Sequence, residues 1–532
     1  MTGGSSYRLL RPYARFTRME PYKNWSREEL IARLQQLDPH HDRPRPSHPH
    51  QDALRKSKPF DFNAYPKRKI ALKFTYNGIH YGGMEFQRDP VLPTVEGVLF
   101  DALVHTKLVD REGGLDGCGW QRCGRTDKGV SAGGQVVSLW VRSGSSSSKA
   151  AVSETSQAST EVQPSPSTEP EDTAEDGPGL EGDFGLMGDF DEPPTNASLS
   201  SNPPPPEAAE DDNASYIYKL NHILPPTIRI LAWSPVADDF SARHSCRWRH
   251  YKYFFSPHGL DLAAMSDAAA RLVGEHDFRN LCKIDPGKQL TVFTRRILHA
   301  SIDPADPARP DGLHVFNLRG NAFLYNMVRH IMAVLLLVGT GLERPSVMSA
   351  LLNVDPTHPL PPFRPGEPAP PVVQSKPEYI IADPLPLMLW ECGYDAGALD
   401  WRVDRTAKAA TAGDHAKSPI RGMLCAHERA LIGAALEEHF LKAAEAHHAR
   451  PRPYFPLGAP GVDVLPPGAM MSLPLGGGMV KRAATYTPLL ERKRMMTPEE
   501  VNERYRLGRG AKRLERRAAA AADAGADEDV DE

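Results

Sequence analysis

The chain has 532 residues, a length that allows two to four domains, and its 40% hydrophobic content is enough for a buried core. Its 50 prolines point to long irregular stretches as well, and no apolar run reaches the roughly 18 residues that a membrane-spanning helix needs. The six cysteines show no CxxC spacing, which argues against a disulfide framework or a structural zinc site and favours a reducing compartment.

The net charge of -4 hides an uneven distribution along the chain. Residues 143–213 carry 16 acids and one lysine, and the last ten residues carry 6 acids, so the rest of the chain carries a formal charge of +17. A folded part as basic as this suggests a polyanionic partner, of which nucleic acid is the commonest.

The N-terminal extension, residues 1–66, is predicted to be mostly disordered, with one short helix after the capping-box pair Ser26 and Glu29. Four arginines precede its first acid, Glu20. This composition favours a disordered basic arm over a weak mitochondrial presequence. We therefore expect a nuclear or cytoplasmic location.

The hydrophobic periodicity then predicts strands and helices in alternation. In chain order they are a strand from Lys69, a helix over about 95–108, strands over 135–141, 228–232 and 251–255, a helix over about 260–273, strands near 296–302 and 314–319, a helix over about 323–339, a strand over 385–394 and a helix over about 428–446. Residues 143–213 interrupt this series as a disordered acidic insertion, because they cannot bury enough apolar area to offset their ordering entropy.

This order predicts an α+β protein with two α/β-type domains, built from antiparallel or mixed sheets with helices. The N-terminal catalytic domain comprises residues 67–142 and 214–238, and the C-terminal catalytic domain comprises residues 239–398. The catalytic cleft is expected between them and is expected to be basic. Residues 399–532 form a C-terminal extension with a basic tail, Arg492 to Arg517, in which a helix is predicted over 498–506 because acids near its start favour one.

One loop displays a carboxylate and an arginine together, in the run Cys123 to Ala132. By itself this pattern fits either a loop that holds one reactive carboxylate or a surface turn with an Arg–Asp pair. The sequence Gly-Arg-Thr-Asp-Lys-Gly-Val over residues 124–130 resembles the signature of the TruA family of tRNA pseudouridine synthases.

Other segments resemble the family's further motifs in the same order, over about residues 67–142 and 214–395. They are Tyr76–Gly83 with Gln87, Leu224-Pro225, Asp238–Arg243, Arg249–Tyr253, Gly274–Phe278 and Asn321–Ile331. The Leu385–Cys392 run and the basic tail resemble a eukaryotic branch that modifies tRNA uridines 38 and 39 in the anticodon stem-loop. One departure is Met84, which stands where the family usually has an aromatic residue.

The resemblance implies an isomerase that acts on tRNA. No cofactor or metal is expected, because the isomerisation of uridine to pseudouridine adds nothing and changes no oxidation state. By resemblance, Asp127 is the catalytic carboxylate, Arg329 is its cationic partner, and Tyr251 stacks on the target base. Because Tyr251 and Tyr253 alternate in one strand, one of them is expected in the core.

The resemblance also implies that Arg125 takes the place of the extruded base, and RNA contacts are expected from Thr126, Lys128, Gln87 and Tyr253. It implies a homodimer as well. Three alternatives remain open at this stage, namely a related synthase for another tRNA position, a non-catalytic tRNA-binding protein, and a scaffold that acts through its disordered arms. Binding alone does not need the carboxylate, which favours the enzyme.

Overall fold

The computed structural model describes residues 60–88, 90–143, 216–403, 419–449 and 470–512. The predictions for the N-terminal arm up to residue 59, for the insertion from 144 to 213 and for the tail beyond 512 lie outside this part of the chain. The described residues from Phe62 onward belong to one compact unit. None of the helices described is long and apolar enough to cross a membrane.

A nine-stranded sheet forms the centre of this unit. Its strands are β1 (Lys67–Tyr76), β2 (Gln121–Arg122), β3 (Ser131–Arg142), β4 (Ile228–Pro235), β5 (Trp248–Phe255), β6 (Gly274–Asp277), β7 (Thr294–Pro304), β8 (His314–Gly320) and β9 (Leu387–Gly393). Their spatial order is β4-β1-β3-β9-β5-β8-β7-β6, with β2 paired to β3 off this path. With helices packed on this mixed sheet, the predicted α+β class is confirmed.

Strand β9 joins the two halves of the sequence. It pairs in parallel with β3 through Ser131↔Met388 and Ala132↔Leu389, and antiparallel with β5 on its other side. Two glycines of β3 permit this approach, since a Cβ on Gly134 would lie 2.7 Å from the Trp390 carbonyl oxygen. The sheet therefore runs without interruption across the predicted boundary between the catalytic domains.

The helices pack on this sheet or extend from it. They are α1 (Val95–His105), α2 (Gly114–Gly117), α3 (Tyr216–Ile223), α4 (Leu262–Ala270), α5 (Met327–Gly339), α6 (Ser346–Leu352), α7 (Pro419–Glu445) and α8 (Pro498–Tyr505). Helix α5 lies deepest, because every one of its residues except Arg329 is buried. Because charged residues are rarely buried without a partner, a lone arginine on such a helix indicates a site where its charge has a function.

Two predicted helices begin elsewhere than their periodicity suggested. Helix α5 begins at Met327 rather than near 323, because Asn326 adopts a left-handed conformation (φ 57°) that cannot continue a helix. Helix α7 begins at Pro419 rather than near 428, and proline suits the first turn of a helix because its missing N–H has no partner there. The helix predicted over 498–506 is confirmed as α8, which a capping box of Thr497 and Glu500 starts.

The C-terminal extension also contains a β-hairpin that periodicity did not predict. Strands β10 (Met471–Gly476) and β11 (Met479–Ala483) meet at a turn in which Gly476, Gly477 and Gly478 all have positive φ. Glycine adopts this conformation without steric cost, so the three consecutive glycines form a tight hairpin turn.

Candidate active site

The signature loop, residues Cys123–Val130, connects β2 to β3 and is fixed by buried side chains. The amide of Gln135 holds its start, since Nε2 donates to the Gly124 carbonyl (2.8 Å) and Oε1 accepts from the Gly124 N–H (3.3 Å). The Thr126 hydroxyl is buried and hydrogen-bonds the Tyr76 hydroxyl at 2.6 Å. Thr126, expected to contact RNA, therefore anchors the loop from inside.

A second segment supports the loop from behind. Gly83 has a φ of +122°, and a Cβ there would lie 3.3 Å from the Thr126 carbonyl oxygen and 3.4 Å from the Lys128 nitrogen. The adjacent Met84 N–H donates to the same Thr126 carbonyl at 3.2 Å, and the Met84 side chain is fully buried. In this chain, the position that departs from the family pattern belongs to the core.

Asp127 is the half-buried carboxylate at the tip of this loop. Burial raises its pKa, because desolvation disfavours the charged form, while the positive charges of Arg329, Lys283 and Lys288 act in the opposite direction. No lysine or arginine nitrogen of the described residues lies within 4.0 Å of the carboxylate. The three cations thus act on Asp127 from beyond 4.0 Å, and no lysine or arginine of the described residues occupies its oxygens.

Arg329 is oriented by backbone and side-chain contacts on its own side of the site. Its Nε donates to the Ala382 carbonyl at 2.8 Å, and its Nη1 lies 3.4 Å from Oδ1 of Asn326. The Ala382 N–H returns a bond to the Arg329 carbonyl at 3.2 Å. The guanidinium that resemblance assigned to Asp127 is therefore brought to the same site from a distant part of the chain.

Lys283 and Lys288 also belong to the site, although sequence reasoning missed them. Both follow the Gly274–Phe278 landmark, in a loop that matches no motif, and both are exposed. Only their electrostatic effect on Asp127 identifies them as part of the site. No periodicity or spacing in the sequence signals this.

Arg249 ties three motif segments together. Its Nη2 donates to the carbonyls of Cys123 (2.9 Å) and Arg243 (3.2 Å), and its Nη1 donates to the Asn321 carbonyl (2.9 Å). Each carbonyl belongs to a different motif. One guanidinium thus fixes their relative positions, a role that sequence reasoning did not assign to it.

The two tyrosines of β5 have different environments. Tyr251 keeps 8% of its surface exposed, packs edge-on against Phe323 with ring centroids 4.9 Å apart, and has its hydroxyl 3.9 Å from an ideal Cβ on Gly124. Burial raises its pKa, so it is a neutral phenol beside the signature loop. Tyr253 has no exposed surface and donates to the Asp383 carbonyl at 3.0 Å, so it lies in the core rather than on a surface that RNA could reach.

The remaining predicted RNA contacts lie at the protein surface, Arg125 and Lys128 on the signature loop and Gln87 in the segment after Met84. Lys128 and Gln87 are exposed, and Arg125 is half-exposed. Arg125 does not pair with Asp127; its Nη2 lies 2.8 Å from Oε1 of Glu85. Arg125 would therefore have to leave Glu85 in order to enter an RNA stem.

Three cysteines that are scattered in the sequence come together beneath the loop. The buried thiols of Cys123, Cys246 and Cys392 interact with one another, and all three are free. Within the described ranges, no group of His, Cys, Asp or Glu side chains is arranged to hold a metal ion.

Comparisons with known proteins identify the family of the chain. A family model described as tRNA pseudouridine synthase matches residues 268–395, which include Arg329, Lys283 and Lys288. A Saccharomyces cerevisiae protein named tRNA pseudouridine(38/39) synthase is 31% identical over 513 residues, which is 91% of each chain. The chain belongs to the tRNA pseudouridine synthase family. The predicted TruA-type family is thereby confirmed.

Other relatives match a shorter part of the chain. The Homo sapiens tRNA pseudouridine(38/39) synthase is 34% identical over 360 residues, which is 66% of this chain and 60% of the human one. A Methanothrix thermoacetophila tRNA pseudouridine synthase A is 30% identical over 344 residues, which is 64% of this chain and 88% of the archaeal one. Against three mammalian relatives, the match spans 60%, 59% and 57% of their length.

Proposed function

We propose that this protein converts uridine to pseudouridine in the anticodon stem-loop of tRNA, at positions 38 and 39. The observation that carries the proposal is the half-buried carboxylate of Asp127, held on a rigid loop and faced by Arg329, Lys283 and Lys288. The choice of positions rests on the printed names of the yeast and mammalian relatives. A related synthase with another position is the second candidate, because the archaeal relative is named without one.

The residues suit the chemistry of this isomerisation. The C1′–N1 bond breaks, the base turns, a C1′–C5 bond forms, and the proton on C5 is lost while N1 gains one. An ionised Asp127 can act at this centre as nucleophile, as stabiliser of a sugar cation, or as base. Arg329 favours the ionised form, and Tyr251 supplies a neutral phenol for contact with the extruded base.

RNA binding is assigned to exposed basic and polar residues around the loop. Arg125 exchanges Glu85 for the RNA and fills the place of the extruded uridine. Lys128 and Gln87 contact the stem-loop nearby. The phosphate backbone supplies most of the affinity, so the removal of the catalytic carboxylate should affect turnover far more than binding.

The test compares the wild-type protein with Asp127→Asn and with Asp101→Asn on unmodified tRNA transcripts. Asp101 is the matched control, because it is an exposed carboxylate on α1 that pairs with Arg111 at the surface. Pseudouridine is mapped by chemical derivatisation and primer extension. We expect modification at 38 and 39 by the wild type and by Asp101→Asn, none by Asp127→Asn, and tRNA affinities within about tenfold. Pseudouridine formed by purified Asp127→Asn would overturn the assignment.

We further propose that two copies of the chain associate through α7. All described side chains of this helix up to Ala444 are exposed, and they include Leu424, Leu431, Ile432, Leu436 and Phe440. In an antiparallel pair of α7 helices related by a twofold axis near Gly433 and Ala434, Leu431 of one copy would lie opposite Leu436 of the other. Arg429 of one copy would likewise lie opposite Glu438 of the other. A single patch can thus complement itself, as a twofold interface requires.

Light scattering during gel filtration tests this association. Leu431→Glu with Leu436→Glu should halve the measured mass, whereas Glu437→Gln on the same helix should leave it unchanged. A wild-type chain that is monomeric at micromolar concentration would refute the homodimer.

A further inference from the structure

Lys283, Lys288 and Tyr325 form a compact exposed cluster beside Asp127. The ammonium nitrogens of Lys283 and Lys288 lie 5.3 and 5.7 Å from the centroid of the Tyr325 ring, which is 40% exposed. The Lys283 N–H donates to the Tyr325 carbonyl at 2.9 Å, which joins the two segments. The aromatic ring attracts both cations and so brings two like charges together.

This cluster carries more positive charge than its surroundings neutralise. Tyr325 adjoins Asn326, whose Oδ1 lies 3.4 Å from Nη1 of Arg329, and the two lysines and Arg329 all favour the ionised form of Asp127. Among the described residues, no carboxylate lies within 4.0 Å of the Lys283 ammonium, and Lys288 has only the partly exposed Asp285 at 3.7 Å. A phosphate ligand would neutralise this surplus of positive charge at the rim of the site.

The loop that carries the lysines is held in one conformation. Asp285 accepts the Gly287 N–H at 3.0 Å, and Gln289 takes a left-handed conformation (φ 48°) while donating to the Pro286 carbonyl at 2.6 Å. Helix α8 supports the loop, because the buried Asn502 donates to the Leu290 carbonyl at 2.9 Å. The cations are thus placed before any ligand arrives, which lowers the entropic cost of binding.

We propose that Lys283 and Lys288, steadied by Tyr325, bind the RNA phosphate that adjoins the uridine delivered to Asp127. This inference rests on the proposed function and adds to it a site for the backbone of the target nucleotide. A phosphate held at the rim fixes the sugar whose C1′ must meet Asp127, which is how a positioning contact contributes to catalysis.

The test uses the full-length protein and a synthetic anticodon stem-loop, with affinities measured over a series of salt concentrations. We expect the double variant Lys283→Ala/Lys288→Ala to bind more weakly and to flatten the slope of log K against log salt by about 1, the value for one phosphate. Lys283→Arg/Lys288→Arg should restore the slope because it keeps both charges. Lys67→Ala is the control, because this exposed lysine lies at the opposite end of β1 from Tyr76.

A stem-loop with one neutral methylphosphonate beside the target uridine identifies the phosphate. If the lysines bind it, this RNA and the double alanine variant each lose affinity, and their combination loses no more than either alone. Additive losses with the methylphosphonate on either side of the uridine would overturn the proposal, as would an unchanged salt slope.

A pH–rate profile supplies a further readout. Since both lysines lower the pKa of Asp127, their removal should move the acid limb of turnover to higher pH, and the arginine variant should restore it. An acid limb that stays in place in the alanine variant would contradict the proposed geometry. A wild-type protein that binds RNA but forms no pseudouridine would instead overturn the proposed function, so the two failures are distinguishable.

Discussion

Asp127 shows how burial and neighbouring cations compete over one ionisable group. Because burial outweighs the cations, its pKa is raised above the ordinary value of 3.8. If the reaction needs the ionised form, acidification should abolish turnover at a higher pH than it would for an aspartate with the ordinary pKa. The dependence of kcat on pH at saturating tRNA measures this, and an acid limb at or below the ordinary value would contradict the raised pKa.

The same shift has a consequence for stability. A carboxyl group with a raised folded-state pKa favours the fold below its unfolded pKa and loses that contribution as the pH rises through the folded value. Asp127→Asn should therefore raise the melting temperature at neutral pH, and the difference should vanish at acid pH. Asp101→Asn, at an exposed carboxylate, should show no such pH-dependent gain.

Glu96 is a second residue whose role depends on burial. Its side chain is fully buried and accepts from the Trp120 indole N–H (2.7 Å), the Phe86 N–H (2.8 Å) and the Arg122 guanidinium. Glu96→Ala should cost roughly 3 kcal/mol of unfolding free energy in urea, because it leaves buried donors unpaired. Glu112→Ala, at an exposed acid, is the control. A loss below about 1 kcal/mol would show that water replaces the carboxylate.

At the scale of elements, the segment that precedes the basic tail and the start of the tail itself pack against the rest of the catalytic unit. Leu489 is fully buried, and the Glu343 carboxylate accepts from the Leu489 N–H and the Tyr486 hydroxyl, both at 2.6 Å. The Glu378 N–H donates to the Lys493 carbonyl at 3.0 Å. Earlier in the extension, the Leu475 carbonyl accepts from the Asp383 N–H at 2.7 Å, beside the Ala382 carbonyl that orients Arg329.

Two variants separate packing from RNA binding. Truncation after Tyr486 removes Leu489 and should cost at least about 2 kcal/mol of stability, as the loss of a buried leucine does. Replacement of Arg513, Arg516 and Arg517 by alanine changes only residues beyond the described part and keeps the acids of the last ten residues. It should keep the melting temperature, weaken tRNA binding, flatten the salt slope and leave the modified position unchanged. Equal melting temperatures for all three proteins would show that the docked segment adds no stability.

At the scale of the whole molecule, the insertion is attached far from the site. Strand β3 has 12 residues and so spans roughly 40 Å, from Ser131 beside the signature loop to Arg142 before the insertion. Deletion of residues 145–212 should therefore leave kcat and KM largely intact, since a shorter loop closes at little thermodynamic cost. A Gly/Ser linker of equal length is the control. A folded deletion variant that fails to modify saturating tRNA would show that the acidic segment takes part in the reaction.

The sequence by itself determined the features that depend on near neighbours. Alternation predicted β1, β4, β5 and β8, helical spacing predicted α1 and α4, and the seven-residue signature singled out Asp127. These predictions succeed because the spacing of apolar residues within a strand or helix identifies its buried face. The signature motif could be found because its residues are consecutive in the sequence.

Only the tertiary structure decided which distant groups meet. The parallel pairing of β9 with β3, the approach of Lys283 and Lys288 to Asp127, and the burial of Tyr253 involve residues far apart in sequence. A local pattern contains no information on which strand edge another segment will reach. Electrostatic effects and burial depend on distances that only packing sets, so the influence of Lys283 and Lys288 on Asp127 could be found only in the folded chain.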